Sequence, residues 1–401
     1  MLQGLFLVNQ SYNMHQGIEW HPALGALPFS PIRKMFNAAA EMDDVLHLSI
    51  GQPDFPAPPH VIEAHIQALR DGHTRYELDA GLPQLREAIA AFYSQRYGIE
   101  LDAENVLITT GCCQALYLAL TAGVQPGKEI IVTEPYFVLA HIAEMAGAVL
   151  RVVPTTARNG YQLDPQQVID AIGDNTCAIL LLSPGNPTGA VYPRATVEAI
   201  CRAAAERGVT VISDEVYDRL ILDDIDYASA LDSSPTLDNV IMASSFSKTY
   251  SMAGLRLGWA ISSRRNIVDL QRYHMFVSTC ENTPTQWAAV AALTGDQSPV
   301  DRMVKEYRRR RDRVVELVEA APHLRAYKPQ GAFFIMPSLP AGADGFDVCM
   351  RLLQEARVCT IPGGTFGKTC NNALRISYAT SMETIESAFE RMTPWLEKQS
   401  F

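Results

Sequence analysis

The middle of the chain alternates continuous apolar runs with stretches in which apolar residues recur every three or four positions. Val106-Leu107-Ile108-Thr109-Thr110, Glu129-Ile130-Ile131-Val132-Thr133, Ala148 to Val153, Ala178-Ile179-Leu180-Leu181-Leu182, Val209-Thr210-Val211-Ile212-Ser213 and Val240-Ile241-Met242-Ala243 read as strands. A run without polar alternation, such as 178–182, suits a strand covered on both faces. Between the runs the spacing predicts helices from Cys112 to about Ala122, near 138–146, and from about 195 to 207, where Gly208 stops the last. Repeated strand–helix–strand units build an α/β fold, a mostly parallel sheet sandwiched by helices.

After about residue 295 the pattern changes. Met303, Val304, Tyr307, Val314, Val315 and Val318 fall at helical spacing and predict a long helix from about Val300 to Ala320. Short strands are expected at 332–336 and 374–378, and helices near 346–356 and 382–397. This α+β texture predicts a second, smaller domain. The expected division is an N-terminal arm at 1–27, a large α/β domain at 59–295, and a small α+β domain made of 28–58 and 296–401. Arg308-Arg309-Arg310-Arg311 is expected on the solvated side of the long helix.

At 401 residues, with 48% hydrophobic and 19% charged, the chain has globular composition and enough length for more than one domain. Its net charge of −11 argues against nucleic acid as a partner. The cysteines at 112, 113, 177, 201, 280, 349, 359 and 370 form no CxxC, and histidine spacing suggests no zinc site. They read as reduced thiols of a cytoplasmic enzyme. No membrane span is visible. The first eight residues lack a basic n-region, and their apolar stretch is too short for a signal peptide.

Candidate chemistry gathers at the ends of the strands, where open α/β sheets bind ligands. Lys248 follows an apolar strand and the small hydroxyl residues Ser244, Ser245 and Ser247, and Arg256 lies eight positions on, among glycines. That grouping suits a lysine bonded to an aldehyde, with hydroxyls and an arginine on a phosphate. The aldehyde cofactor that carries a phosphate is pyridoxal 5'-phosphate (PLP). At Gly111-Cys112-Cys113 a strand enters a helix through glycine, so free amides and the helix dipole can attract a phosphate. Taken in isolation, an ordinary turn with two buried cysteines is the favoured reading there. Asp214 ends a strand and can pair with a protonated ring nitrogen, which keeps the ring able to accept electrons. A helix N-cap is its other reading. Tyr217 and Asn186 can hydrogen-bond a phenolic oxygen on the same ring. The Pro- and Gly-rich turn Ser183 to Gly189 would fix Asn186, with a cis bond plausible before Pro187. Phe137 is a candidate for stacking on the ring, or a core aromatic. Arg375 points to the opposite strand face from Leu374, Ile376 and Tyr378. It can grip an α-carboxylate with two parallel hydrogen bonds, or serve in a surface ion pair.

Leu48 to Phe55, Tyr76 with Gly81-Leu82-Pro83-Gln84-Leu85-Arg86, Asn186-Pro187-Thr188-Gly189, Ser213 to Tyr217, Ser245 to Lys248 with Gly254 to Gly258, and Leu374 to Tyr378 occur in a specific order. With these motifs the chain, from about Leu27 to about Leu396, resembles the class I/II PLP-dependent aminotransferases of fold type I, the aspartate aminotransferase superfamily. The resemblance implies that Lys248 carries PLP as an internal imine, removes the substrate α-proton and returns it to the cofactor. It implies that Asp214 pairs with the ring nitrogen, Asn186 and Tyr217 hold the phenolic oxygen, and Phe137 stacks. Ser245, Arg256 and the turn at Gly111, Cys112 and Cys113 would hold the phosphate. Arg375 and the Gly51 backbone, beside Asn186, would receive the substrate. Tyr76 would reach the phosphate of a neighbouring subunit, which makes a homodimer necessary. Some relatives acting on acidic amino acids place a lysine where this chain has Cys113. The expected activity is therefore ping-pong transfer of an amino group from a neutral or hydrophobic L-amino acid to a 2-oxo acid. The resemblance also implies that specificity depends on loops and an N-terminal segment near 15–34. A C–S β-lyase, or another eliminating or cyclising PLP enzyme, is the alternative on the same scaffold. A nicotinamide oxidoreductase would need a Gly-x-Gly-x-x-Gly turn, which is missing. A PLP-sensing regulator would carry a DNA-binding segment ahead of Gly51, and no helix-turn-helix pattern is seen there.

Overall fold

The computed structural model describes residues 31–136 and 140–401. After a short strand β1 (Leu46–His47), seven strands build one sheet: β2 (Val106–Thr109), β3 (Glu129–Glu134), β4 (Val149–Pro154), β5 (Thr176–Leu182), β6 (Thr210–Asp214), β7 (Val240–Ser245) and β8 (Gly258–Ile261). Their order is β2-β8-β7-β6-β5-β3-β4. Only β8 runs antiparallel to its neighbours; every other pairing between β3 and β7 is parallel. Alternate residues feed opposite cores. Leu107, Ile130, Leu180, Ile212 and Ala243 face one, and Val106, Ile131, Ile179, Val211 and Met242 the other. Two covered faces explain the continuous apolar runs. Helices Cys112–Ala122, His141–Met145 and Arg194–Glu206 stand where the spacing places them.

The register brings functional ends together. Asp214 pairs across with Leu182 and Ala243, and Ser245 and Thr109 both lie opposite Gly258. Gly258 is packed so closely that a Cβ there would sit 2.6 Å from the amide nitrogen of Cys112 and from the carbonyl of Ser244. Only glycine lets β8 run between the two chains at that height. The sequence pattern does not announce β8, because Gly258 and the preceding Gly254 and Arg256 read as loop chemistry.

The remaining strands are short. β9 (Phe334–Ile335), β10 (Val358–Cys359), β11 (Ile361–Pro362) and β12 (Leu374–Ser377) form a three-stranded sheet, β11-β12-β9, and a parallel β1-β10 pair. Helices Ser298–Ala320, Gly345–Ala356 and Met382–Glu397 pack with them. The arginine run departs from expectation. Arg308 and Arg309 are exposed, but Arg310 and Arg311 are buried. Arg310 pairs with Asp54 at 2.8 Å and lies over the Phe55 ring, while Arg311 pairs with Asp223 at 2.8 Å and donates to the Pro329 carbonyl at 2.9 Å. Successive helix residues turn by about 100°, so four in a row cannot share one face. Cis peptide bonds among the described residues precede Pro135 and Pro184, not Pro187.

Candidate active site

Lys248 stands on the short helix Phe246–Thr249, which continues directly from β7. Ser245 caps it, accepting from the Ser247 amide at 3.3 Å. The Lys248 Nζ donates to the Gly51 carbonyl at 2.6 Å, across 197 residues of sequence. Burial pushes its pKa down from 10.5 to about 8, so the amine is readily neutral. Gly51, Cys112, Cys113, Asn186, Asp214, Tyr217, Ser245, Lys248, Arg256 and Arg375 line one cavity of about 250 Å³. Ten residues from seven separate stretches of sequence thus share a single hollow beyond the strand ends.

Among the described residues, neither Arg375 nor Arg256 in it has a carboxylate partner. Arg375 is buried, donates from Nη1 to Asn186 Oδ1 at 3.1 Å and from Nη2 to the Ser49 carbonyl at 2.6 Å, and leaves Nε without a partner. Phe334 and Phe366 flank its guanidinium at 4.5 and 5.3 Å. Burial lowers its pKa to about 10. A buried, incompletely bonded guanidinium calls for an anion. Arg256 donates to the carbonyls of Ala253 and Thr110, at 3.1 and 3.3 Å. It lies against Gly111, whose φ is +75°; a Cβ there would come within 2.7 Å of Arg256 Nη2. Helix Cys112–Ala122 starts at that glycine with no side-chain cap, so its first amides are open to an anion.

Asp214 is buried at the end of β6. The Cys112 thiol donates to its Oδ1 at 3.4 Å and the Val216 amide at 3.2 Å. Burial raises its pKa to about 6, against those two bonds. Tyr217 is buried edge-on against Phe333 and Phe334, and burial raises its phenol strongly. Cys112 is buried, and burial raises its thiol, which leaves it protonated and weakly reactive; Cys113 is exposed.

Two sequence candidates stand apart. Tyr76 is 86% exposed and does not line the cavity. Phe137 lies outside the described residues. Conversely, Ile32 and Phe36 of helix Pro31–Ala40 line the cavity, and sequence reasoning did not single them out. Their four-residue spacing after a helix-starting proline was the available signal.

An amine-bearing cavity with two arginines open to anions, set at the carboxyl ends of a mostly parallel sheet, is the arrangement of a PLP enzyme of fold type I. The chain belongs to the aminotransferase class I and II family, whose model matches residues 43–392. Members use PLP, and the protein is a PLP-dependent transaminase. It is 36% identical to an aspartate aminotransferase of Pyrococcus horikoshii over 372 residues, covering 92% of this chain and 95% of that one. It is 33% identical to aromatic-amino-acid aminotransferase 2 of Thermococcus litoralis, covering 92% and 96%. The crystal structure of an aspartate aminotransferase from Thermotoga maritima superimposes with a TM-score of 0.90 at 33% identity, covering 94% of this chain and all of that one. All three are transaminases by name, so the eliminating or cyclising alternative is not favoured. The residues present fit PLP: an anion cradle a Cβ would fill, a buried carboxylate, and an amine of lowered pKa.

Proposed function

We propose that this transaminase prefers a neutral or hydrophobic L-amino acid as donor, passes the amino group to a 2-oxo acid by a ping-pong sequence, and works as a homodimer with shared sites. The observation that carries the donor preference is the apolar helix face, Ile32 and Phe36, on the cavity wall. Cys113 adds an uncharged group beside it. Relatives' names span aspartate and aromatic amino acids, and this wall suits the second kind better.

When bound, PLP supplies the electron sink for the pair released at the substrate α-carbon and carries the amino group between half-reactions. The Lys248 Nζ, neutral above about pH 8, takes the α-proton and returns it. Asp214 keeps a proton on the ring nitrogen. Asn186 and Tyr217 hold the phenolic oxygen, and Phe137 is assigned to stacking. Ser245, Arg256 and the amides at Gly111, Cys112 and Cys113 hold the phosphate. Arg375 takes the substrate carboxylate, its unpartnered Nε adding a donor, and the Gly51 backbone helps seat it. Tyr76 reaches into the partner's site. Leu78, Met275, Phe276 and Val277 are exposed too, and Gln271, on the same helix as Met275 to Val277, donates to Asp79 at 2.8 Å, so this side of the protomer offers apolar surface to a two-fold interface. Residues 59–295 would act as the large domain, 28–58 with 296–401 as the small one, and 1–27 as an arm. No helix among the described residues is long and apolar enough to cross a membrane, and free thiols favour a cytoplasmic setting.

A half-reaction screen tests the preference. Holoenzyme is mixed with single amino acids and the cofactor absorbance is followed. Phenylalanine or leucine should exceed aspartate in kcat/KM by at least about tenfold. Faster reaction with aspartate would defeat the reading.

A further inference from the structure

Glu281 is a carboxylate with only 6% of its surface exposed. No lysine or arginine pairs with it among the described residues. Three donors satisfy it instead. Its Oε2 accepts from the Thr110 hydroxyl at 2.5 Å, and its Oε1 from Ser278 at 3.1 Å and from the fully buried His274 Nε2 at 2.9 Å. Burying a charge this way is costly unless each bond is kept. The contact to Thr110 spans 171 residues of sequence.

Thr110 is the residue before Gly111, and every polar group on it is used. Its amide donates to Gln114 Oε1 at 2.5 Å, its hydroxyl to Glu281, and its carbonyl accepts from Arg256 Nη2 at 3.3 Å. Thr110 therefore links Glu281 to both Arg256 and the glycine turn. The same segment reaches Arg75, beside Tyr76, through the Thr283 hydroxyl at 2.8 Å.

We propose that Glu281, seated by His274 and Ser278, is a positioning residue for the cofactor phosphate: it pins Thr110 and so sets the Gly111 turn against Arg256. The proposal rests on the reading above that this turn and Arg256 hold the phosphate.

The test compares PLP with pyridoxal, which lacks the phosphate, by absorbance titration of the cofactor-free protein. Wild type should bind PLP more tightly. Thr110→Val and Glu281→Ala should each weaken PLP by about tenfold while leaving pyridoxal within about twofold. Thr110→Ser, which keeps the hydroxyl, should stay near wild type. The double variant should be no worse than Glu281→Ala alone, since Glu281→Ala already removes the Thr110 contact. Equal weakening of both ligands, or unchanged PLP affinity, overturns the role of Glu281. If Glu281→Ala does not fold, the Thr110 pair decides alone. A wild type that fails to prefer PLP over pyridoxal would instead remove the phosphate reading beneath the proposal.

Discussion

Lys248 and Asp214 are perturbed in opposite directions by one cause, burial of a charge. A lysine ordinarily takes up its proton at 10.5, but Lys248 does so near 8. Between those values the unfolded chain binds the proton and the folded chain does not. The stability contribution is therefore full above about 10.5, declines as the pH falls to about 8, and is constant below. In the cofactor-free protein, reductive methylation of Lys248 should rise to half its plateau near pH 8. A labelling curve still climbing steeply at pH 10 would contradict this. Asp214 behaves conversely. Its carboxyl is raised from 3.8 to about 6, so stability is lost as pH rises through that window and stays lost above it. Asp214→Asn should thus stabilise the cofactor-free protein above pH 6 by about 1–3 kcal/mol, read by denaturant unfolding. The same change should cost turnover on the order of a hundredfold or more. A variant less stable than wild type at pH 7 would show that burial is not the dominant influence.

The element that most needs its local geometry is the turn from β2 into helix Cys112–Ala122. Gly111 combines φ +75° with a Cβ position 2.7 Å from Arg256 Nη2. Gly111→Ala therefore adds about 1–3 kcal/mol of backbone strain and displaces the guanidinium. The expected outcome is a folded protein with PLP affinity down at least about tenfold and pyridoxal affinity little changed, measured by equilibrium titration. Unchanged PLP affinity would mean that the turn yields without moving Arg256. Strands at this scale were legible because a covered strand is apolar at every position, as at 178–182. The strand β8 and the buried Arg310 and Arg311 were not. In β8, a glycine needed for close approach looks like a loop, and a run of like charges hides which members a helix turns inward.

At the scale of the whole molecule, Tyr76 is the residue whose place depends on assembly. It is 86% exposed in the protomer, so Tyr76→Ala should leave protomer stability nearly unchanged. Mixing Tyr76→Ala subunits with Lys248→Ala subunits, each inactive or impaired alone, should restore about a quarter of wild-type activity if sites are shared across a two-fold axis. Half the dimers are then hybrids, each with one intact site. No recovery after verified subunit exchange would place Tyr76 outside the partner's site. The linear pattern of residues was enough to specify an α/β sheet and to place Lys248, Asp214, Asn186 and the Gly111 turn at strand ends, because periodicity reports burial and strand ends are local. It could not specify that Gly51 meets Lys248, that Ile32 and Phe36 wall the cavity, or that Glu281 braces Thr110. Those contacts join segments far apart in sequence, and only the packing of the sheet, its helices and the smaller strands brings them within reach.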